Sequence, residues 1–433
     1  MKVAILFPGQ GSQYIEMGKS LYESHKIAQE TFEEANDTLG YDLNRICFEG
    51  RLSELNSLEN MLPGILTTSV AAFRVFMENF EVEPSLLAGH SLGEFSALTC
   101  SGAIDFSDTL TIIKNRSRLA EKIALNEKAG MTIVDNTNID LVQSECEKIS
   151  GEGQIVQIAC VNSANQVAIS GHQEAILKVE DNLLKAGASI TPILTGAPFH
   201  GHIMKEAAVE FKSQLKQYTF HNFKYPVLSN VNVELYEGPS QIIDNLTKQL
   251  VFPVQWKQTM DYIETEDIDA VIEMAPQSIL TNLYKNEQRT KKVRAFSFNQ
   301  NKDKRLLKEV LLGDLNNVEH VDGKNKVSLV TRCLRVAITT RNSNFDEEAY
   351  FKGVITPYNR IKEIQFQLDE SGTMPTIDEM NECLELLDTI LTTKKLSVEK
   401  RYGKVRSVIE QSNVSDIFPE YLERSEVNVI FKI

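Results

Sequence analysis

Gly89-His90-Ser91-Leu92-Gly93 has the spacing G-x-S-x-G, in which small residues on both sides of a serine allow a turn sharp enough to project its hydroxyl. Leu86-Leu87-Ala88 predicts a strand entering that turn. Gly93 to Cys100, ending at Gly102, predicts a helix leaving it, whose N-terminus favours negative charge developing nearby. A serine hydroxyl is a weak nucleophile, so a base must lie within hydrogen-bond reach, and the chain offers seven histidines. His90 adjoins the serine, but an imidazole next to an elbow serine points elsewhere, and His90 reads as a packing histidine. His200 and His202, in Gly196-Ala197-Pro198-Phe199-His200-Gly201-His202, remain as candidate bases. His25, His172, His221 and His320 have polar, surface-like neighbours and read as bystanders.

Two further features could serve the same chemistry. Pro8-Gly9-Gln10-Gly11-Ser12-Gln13 follows an apolar strand, and its glycines would let backbone approach a ligand closely. Tyr14 stands where a dinucleotide fingerprint needs its third glycine, so nucleotide binding of that kind is excluded. Arg116 sits on a helix predicted from about Ser107 through Leu110, Ile113, Leu119 and Ile123. Facing a cleft, its guanidinium fork would suit a carboxylate; facing solvent, it would be one more surface charge, as Arg118 is.

Positioning these residues requires a sheet. Val3 to Phe7, Leu86 to Ala88, Val227-Leu228, Ala270 to Ile272 and Val293 to Phe298 read as strands separated by helices, hence as a parallel sheet with helices on both faces. Between Gly130 and Leu194 the rhythm changes: strand Met131 to Val134, helix Leu141 to Ile149, strands Ile155 to Cys160 and Gln166 to Ser170, helix Glu174 to Ala186, strand Ser189 to Leu194. That βαββαβ order predicts a ferredoxin-like unit inserted into the larger one, with a ligand cleft between them. The histidine segment follows its last strand, where the chain re-enters the large domain. The expected domains are 1–129 with 195–312, an inserted 130–194, a polar linker 313–326, and an extension 327–433. In the extension, Val327 to Thr340 reads as a strand or buried helix and Ile377 to Leu391 as a helix.

Composition narrows the function. The 433 residues carry a net charge of −15, which argues against broad attraction to nucleic acid or anionic membrane. An acidic partner would need a local basic patch. The six cysteines, Cys47, Cys100, Cys146, Cys160, Cys333 and Cys383, show neither zinc spacing nor a disulfide framework, so no metal is expected. Val3 to Phe7 is too short for a signal or a membrane span, which points to the cytoplasm.

Together the motifs resemble the malonyl-CoA:acyl carrier protein transacylase family, which includes the acyltransferases of fatty-acid and polyketide synthesis. The resemblance covers about residues 1 to 300. It is carried by FPGQGSQ (Phe7 to Gln13), GHSLGE (Gly89 to Glu94), Asn115-Arg116, NSANQVAISG (Asn162 to Gly171), GAPFH (Gly196 to His200) and PVQW (Pro253 to Trp256). It implies an α/β-hydrolase-like large domain with a parallel sheet, an inserted ferredoxin-like subdomain, and a C-terminal extension. It also implies Ser91 as acyl-carrying nucleophile, His200 as base, and the Gln10 and Leu92 N–H groups as oxyanion hole. Arg116 would grip the malonyl carboxylate, with Asn162, Gln166 and Phe199 among the substrate-binding residues. The base would be oriented by a backbone carbonyl at about Phe252. No cofactor of the enzyme's own is implied, since malonyl-CoA and the phosphopantetheinyl carrier are substrates. The extension could dock a fatty-acid or polyketide synthase. Three departures stand out: Ala275-Pro276-Gln277 replaces the family's Gly-Pro-Gly, Ser117 and Arg118 replace small residues, and the segment beyond Gly313 matches nothing in the family core. Rival readings are an acyl-carrier thioester hydrolase of the same fold and a noncatalytic carrier-binding scaffold.

Overall fold

The computed structural model describes residues 1–421 apart from 152, 194–195, 288–292, 313–327, 341, 343, 345, 372, 413 and 416. The expected linker 313–326 and His320 therefore lie outside the described residues. The chain divides into two compact units, Met1–Asp314 and Leu315–Ile433.

At the centre of the first unit is a strand apolar at every position, β1 (Val3–Phe7), each residue of which is buried. A strand without alternation has to be covered on both faces, as happens inside a parallel sheet. β1 is flanked by β2 (Leu86–Gly89) and β8 (Ala270–Glu273), with β7 (Val227–Leu228) and β9 (Arg294–Ser297) outside them, in the order β7-β2-β1-β8-β9. All four pairings are parallel. The register sets Phe7 beside Gly89, so the Pro8–Gln13 loop and the Ser91 turn leave neighbouring strands at the same carboxyl edge, where open α/β sheets hold ligands.

The inserted unit has the predicted element order: β3 (Ala129–Asp135), helix Ile139–Ile149, β4 (Val156–Val161), β5 (Gln166–His172), helix Gln173–Lys185 and β6 (Ser189–Ile193). Its antiparallel sheet runs β4-β5-β3-β6. Alternation decides what each face covers. Val167 and Ile169 pack with Val142, Cys146, Ile176 and Val179 of the two helices, whereas Ala168 between them joins the core of the large body. Val254 ties the bodies together: its N–H donates to the Ala159 carbonyl and its carbonyl accepts from Val161, both at 2.9 Å.

The second unit is helical, with helices Leu329–Thr339, Thr356–Ser371, Ile377–Thr393 and Val398–Gln411. The first of these shows that the described part of the expected strand or helix is a half-buried helix, opened by the Ser328 hydroxyl, which accepts from the Thr331 N–H. Leu329, Cys333, Ile361, Leu387 and Ile409 belong to one separate apolar core. No helix among the described residues is long and apolar enough to cross a membrane.

Candidate active site

Ser91 sits between β2 and the helix Leu92–Cys100 at φ 54° and ψ −106°, the strained conformation of a nucleophile elbow. Positions 89 and 93, two residues to either side, must be glycine because backbone passes too close for a side chain. A Cβ at Gly89 would lie 1.9 Å from the Gly93 carbonyl carbon, and one at Gly93 would lie 2.0 Å from the Phe7 carbonyl oxygen. Asn230, just past β7, pins the turn. Its Oδ1 accepts from the Ser91 N–H at 2.7 Å and its Nδ2 donates to the Gly89 carbonyl at 2.6 Å.

The Ser91 hydroxyl lies 2.6 Å from His200 Nε2. His200 is buried, and its Nδ1–H donates to the Gln249 carbonyl at 2.6 Å. A carbonyl only accepts, so the hydrogen is on Nδ1 and Nε2 offers its lone pair to the hydroxyl. The expectation that the carbonyl belongs to Phe252 is corrected here. Phe252 is 44 % exposed, with its ring 6.1 Å from that of His202. Gln249 is the last residue of the helix Ile242–Gln249, and the last four carbonyls of a helix have no intrahelical donor. Burial, then the nearby Arg116 charge, hold the His200 imidazole down at about 3, against the opposing pull of the Gln249 bond. It is neutral at physiological pH. His202 is exposed, and its N–H donates to Gln157, so it takes no part in this pair.

Arg116 is 1 % exposed and has no ion-pair partner among the described residues. Its guanidinium lies 4.0 Å over the Phe199 ring and 5.4 Å from that of Phe95, and Nη2 donates to Gln249 Oε1 at 3.3 Å. Nε has no acceptor among the described residues. Burial lowers its pKa to about 9, with Glu94 opposing. A cation kept out of water without a carboxylate costs several kcal/mol, which an incoming anion would offset. Arg118, by contrast, is at the surface, 3.4 Å from Glu59, and Ser117 is buried against the Leu58 carbonyl. Gln277, in the departing Ala275-Pro276-Gln277 segment, donates to the Gln13 carbonyl at 3.5 Å.

The remaining expected residues fall into two groups. Gln10 and Leu92 have N–H groups with no acceptor among the described residues, Leu92 as the first residue of its helix. Asn162 and Gln166 are engaged with protein. His90 Nε2–H donates to Asn162 Oδ1 at 2.8 Å, Asn162 Nδ2 to Gln166 Oε1 at 3.0 Å, and Gln166 Nε2 to Asp135 at 2.7 Å. His90 packs edge-on to Trp256, 5.5 Å away, as its reading as a packing residue anticipates.

Sequence reasoning missed Gln249, Glu94, Asn230 and Tyr236. Glu94 is fully buried. Its Oε1 accepts from Tyr236 Oη at 2.7 Å and from the Asn230 N–H at 3.3 Å, and its Oε2 from Gln249 Nε2 at 2.6 Å. Burial raises its pKa to about 7 despite these bonds. A glutamate, the one charged residue in the Leu-Gly-Glu-Phe-Ser-Ala-Leu stretch of its helix, was the available signal.

Comparison with known proteins agrees with this geometry. Residues 5–315 match the family model described as acyl transferase domain. A malonyl CoA-acyl carrier protein transacylase of Bacillus subtilis is 32% identical over 394 residues, 91% of this chain and 97% of the relative. That span exceeds the 314 residues of the first unit, so the similarity reaches into the second, which the motifs alone did not suggest. The enzyme of the same name from Escherichia coli K12 is 36% identical over 283 residues, 65% of this chain and 91% of the relative. Among solved structures, the malonyl CoA-acyl carrier protein transacylase of Coxiella burnetii superposes with TM-score 0.68 at 31% identity, covering 72% of this chain and 97% of that one. A malonyl-transacylase in complex with a type II polyketide-synthase acyl-carrier protein gives TM-score 0.68 at 33% identity, over 72% and 100% of the respective chains. A strained serine bonded to a neutral histidine, on a fold whose relatives align along almost their whole length, places this chain in the acyl transferase family.

Proposed function

We propose that the chain is a malonyl-CoA:acyl carrier protein transacylase working by a ping-pong cycle. The observation that carries this reading is the meeting of Ser91, His200 and the unpaired, buried Arg116 around one residue, Gln249. Arg116 takes the free carboxylate of malonyl-CoA, with Phe199 stacked beneath the guanidinium. The Ser91 oxygen attacks the thioester carbonyl while its proton passes to His200 Nε2. The oxyanion is received by the Gln10 and Leu92 N–H groups. On collapse the C–S bond breaks, and His200 returns the proton to the leaving coenzyme A thiol. In the second half His200 takes the proton of the carrier's phosphopantetheine thiol, whose sulfur attacks the ester; the bond from Ser91 oxygen to the acyl carbon breaks, and His200 returns the proton to that oxygen. The cycle needs no cofactor of the enzyme's own. Asn162 and Gln166 stand one and two hydrogen bonds behind His90, and both remain candidate substrate-binding residues in this reading.

Initial rates with both substrates varied test the cycle. Parallel double-reciprocal lines with malonyl-carrier as product support it. Cleavage of malonyl-carrier to free malonate without transfer would favour the thioester hydrolase instead. We place the enzyme in the cytoplasm, in keeping with six free thiols and no spanning helix among the described residues. The second unit is our candidate contact for a fatty-acid or polyketide synthase, tested by co-purification of a synthase with the full chain and not with residues 1–314.

A further inference from the structure

We propose that Glu94 is a positioning residue: its carboxylate fixes which way round the Gln249 amide sits, and so keeps an acceptor facing the Arg116 guanidinium where the acyl carboxylate docks. The inference rests on the transacylase reading and adds a residue that the motif chemistry leaves without a role. A guanidinium only donates, a carboxylate only accepts, and a primary amide has one end of each kind. Gln249 lies between the two, fully buried. With Nε2 toward Glu94 at 2.6 Å and Oε1 toward Arg116 at 3.3 Å both contacts are satisfied, and the same Nε2 also donates to the Ser91 carbonyl at 3.0 Å. Turned over, the amide would set NH2 against the guanidinium and oxygen against two oxygens. Glu94 is itself held by donors, the Tyr236 hydroxyl and the Asn230 N–H. Asn230 in turn holds the Ser91 N–H, so the nucleophile turn, the carboxylate clamp and the base's carbonyl partner share one buried network.

Replacing the carboxylate with an amide predicts a definite rearrangement. The backbone N–H of Asn230 can only donate, so in Glu94→Gln the side-chain oxygen stays there and NH2 occupies the former Oε2 position. That drives the Gln249 amide over and presents a second donor to Arg116. Protonating Glu94 at the same oxygen does the same. The ionisable groups interacting with Glu94 are Arg116, from the helix Phe106–Asn126, and Tyr236, whose pKa is pushed well above its usual value by burial. Arg74, on the packed helix Leu58–Asn79, is turned to Glu34 at 3.0 Å, and β1, β2 and β7 carry no ionisable side chain.

The test uses the full chain with malonyl-CoA or acetyl-CoA as donor and holo carrier as acceptor, between about pH 6 and pH 8, the span over which a carboxyl with pKa about 7 titrates. Acetyl-CoA has no carboxylate for Arg116 and controls for titration of coenzyme A itself. In Glu94→Gln the KM for malonyl-CoA should rise ~10-fold or more, and malonyl transfer should fall several-fold further than acetyl transfer. In the wild type the malonyl-to-acetyl ratio of kcat/KM should fall as the pH drops through about 7, and in the variant it should be flat. An unchanged malonyl KM, an equal loss with both donors, or a wild-type ratio indifferent to pH would overturn the inference. The wild-type profile needs no variant, so a Glu94→Gln chain that failed to fold would still leave a decisive measurement. A wild type that loads no acyl group from either donor would overturn the transacylase reading itself, and the inference with it.

Discussion

With its Nδ1 hydrogen given to the Gln249 carbonyl, His200 presents a lone pair to Ser91 without help from a carboxylate. Burial and the Arg116 charge hold its pKa at about 3, so the group is neutral above that pH and charged only below it. Acyl-enzyme formation from acetyl-CoA, followed by quenched flow, should therefore be flat from about pH 5 to pH 8, with no loss at the usual histidine value near 6.5; an acid limb at that value would show a solvated base. Arg116 makes a second prediction. Arg116→Ala should lower kcat/KM for malonyl-CoA by ~30-fold or more, the cost of losing one partner of a buried charge pair, and leave acetyl-CoA transfer far less changed; competition between the two donors reads this directly. At this scale the sequence marks Ser91, His200 and Arg116, whose chemistry resides in side chains within motifs, and the structure gathers the three around Gln249. It was not legible where chemistry resides in the backbone. Any carbonyl near the Pro-Val-Gln-Trp segment could orient the base, and the choice of Gln249 over Phe252 depends on where a helix stops, a boundary with no sequence mark here.

The elbow works because two strands and a helix approach more closely than side chains allow. Gly93→Ala would put a Cβ 2.0 Å from the Phe7 carbonyl oxygen, with backbone on both sides and nothing flexible to yield. It should destabilise the chain by about 3 kcal/mol or more, read as a shift in the denaturant midpoint, and abolish acylation in whatever folds. Asn230→Ala is a milder break of the same turn. It leaves the Ser91 N–H and the Gly89 carbonyl unpaired, at about 1 to 3 kcal/mol each, and should slow acylation by either donor equally, unlike Glu94→Gln. The strands and the inserted βαββαβ unit were readable because period 2 and period 3.6 separate cleanly in them: Val167 and Ile169 face the helices, while Ala168 faces the other way. Asn230 was not readable, since it follows a two-residue strand in a segment with no periodicity.

On the scale of the whole molecule, the two cores of the first unit, around β1 and under the inserted sheet, share no buried residue with the core of the helices beyond Ser328. Each unit has a buried apolar core of its own, as a domain that folds by itself requires. Residues 1–314 alone should load malonyl from coenzyme A at a rate within about twofold of the full chain, and the full chain should melt in two transitions by calorimetry. One transition, or loss of loading on truncation, would show that the units depend on each other. The second unit carried no recognisable motif, and helical spacing alone could say only that it folds. An apolar stretch such as Val327 to Thr340 is ambiguous between strand and helix until its partners are known, here Ile361 and Leu387 among others.

The most direct test of the central claim is intact-protein mass spectrometry after brief exposure to malonyl-CoA, with Ser91→Ala and Arg116→Ala alongside. The account predicts that the wild type gains the mass of one malonyl group and loses it on addition of holo carrier protein, that Ser91→Ala gains nothing, and that Arg116→Ala gains far less. A malonyl adduct that persists in Ser91→Ala, or a wild type that forms none while carrier becomes malonylated, would contradict it.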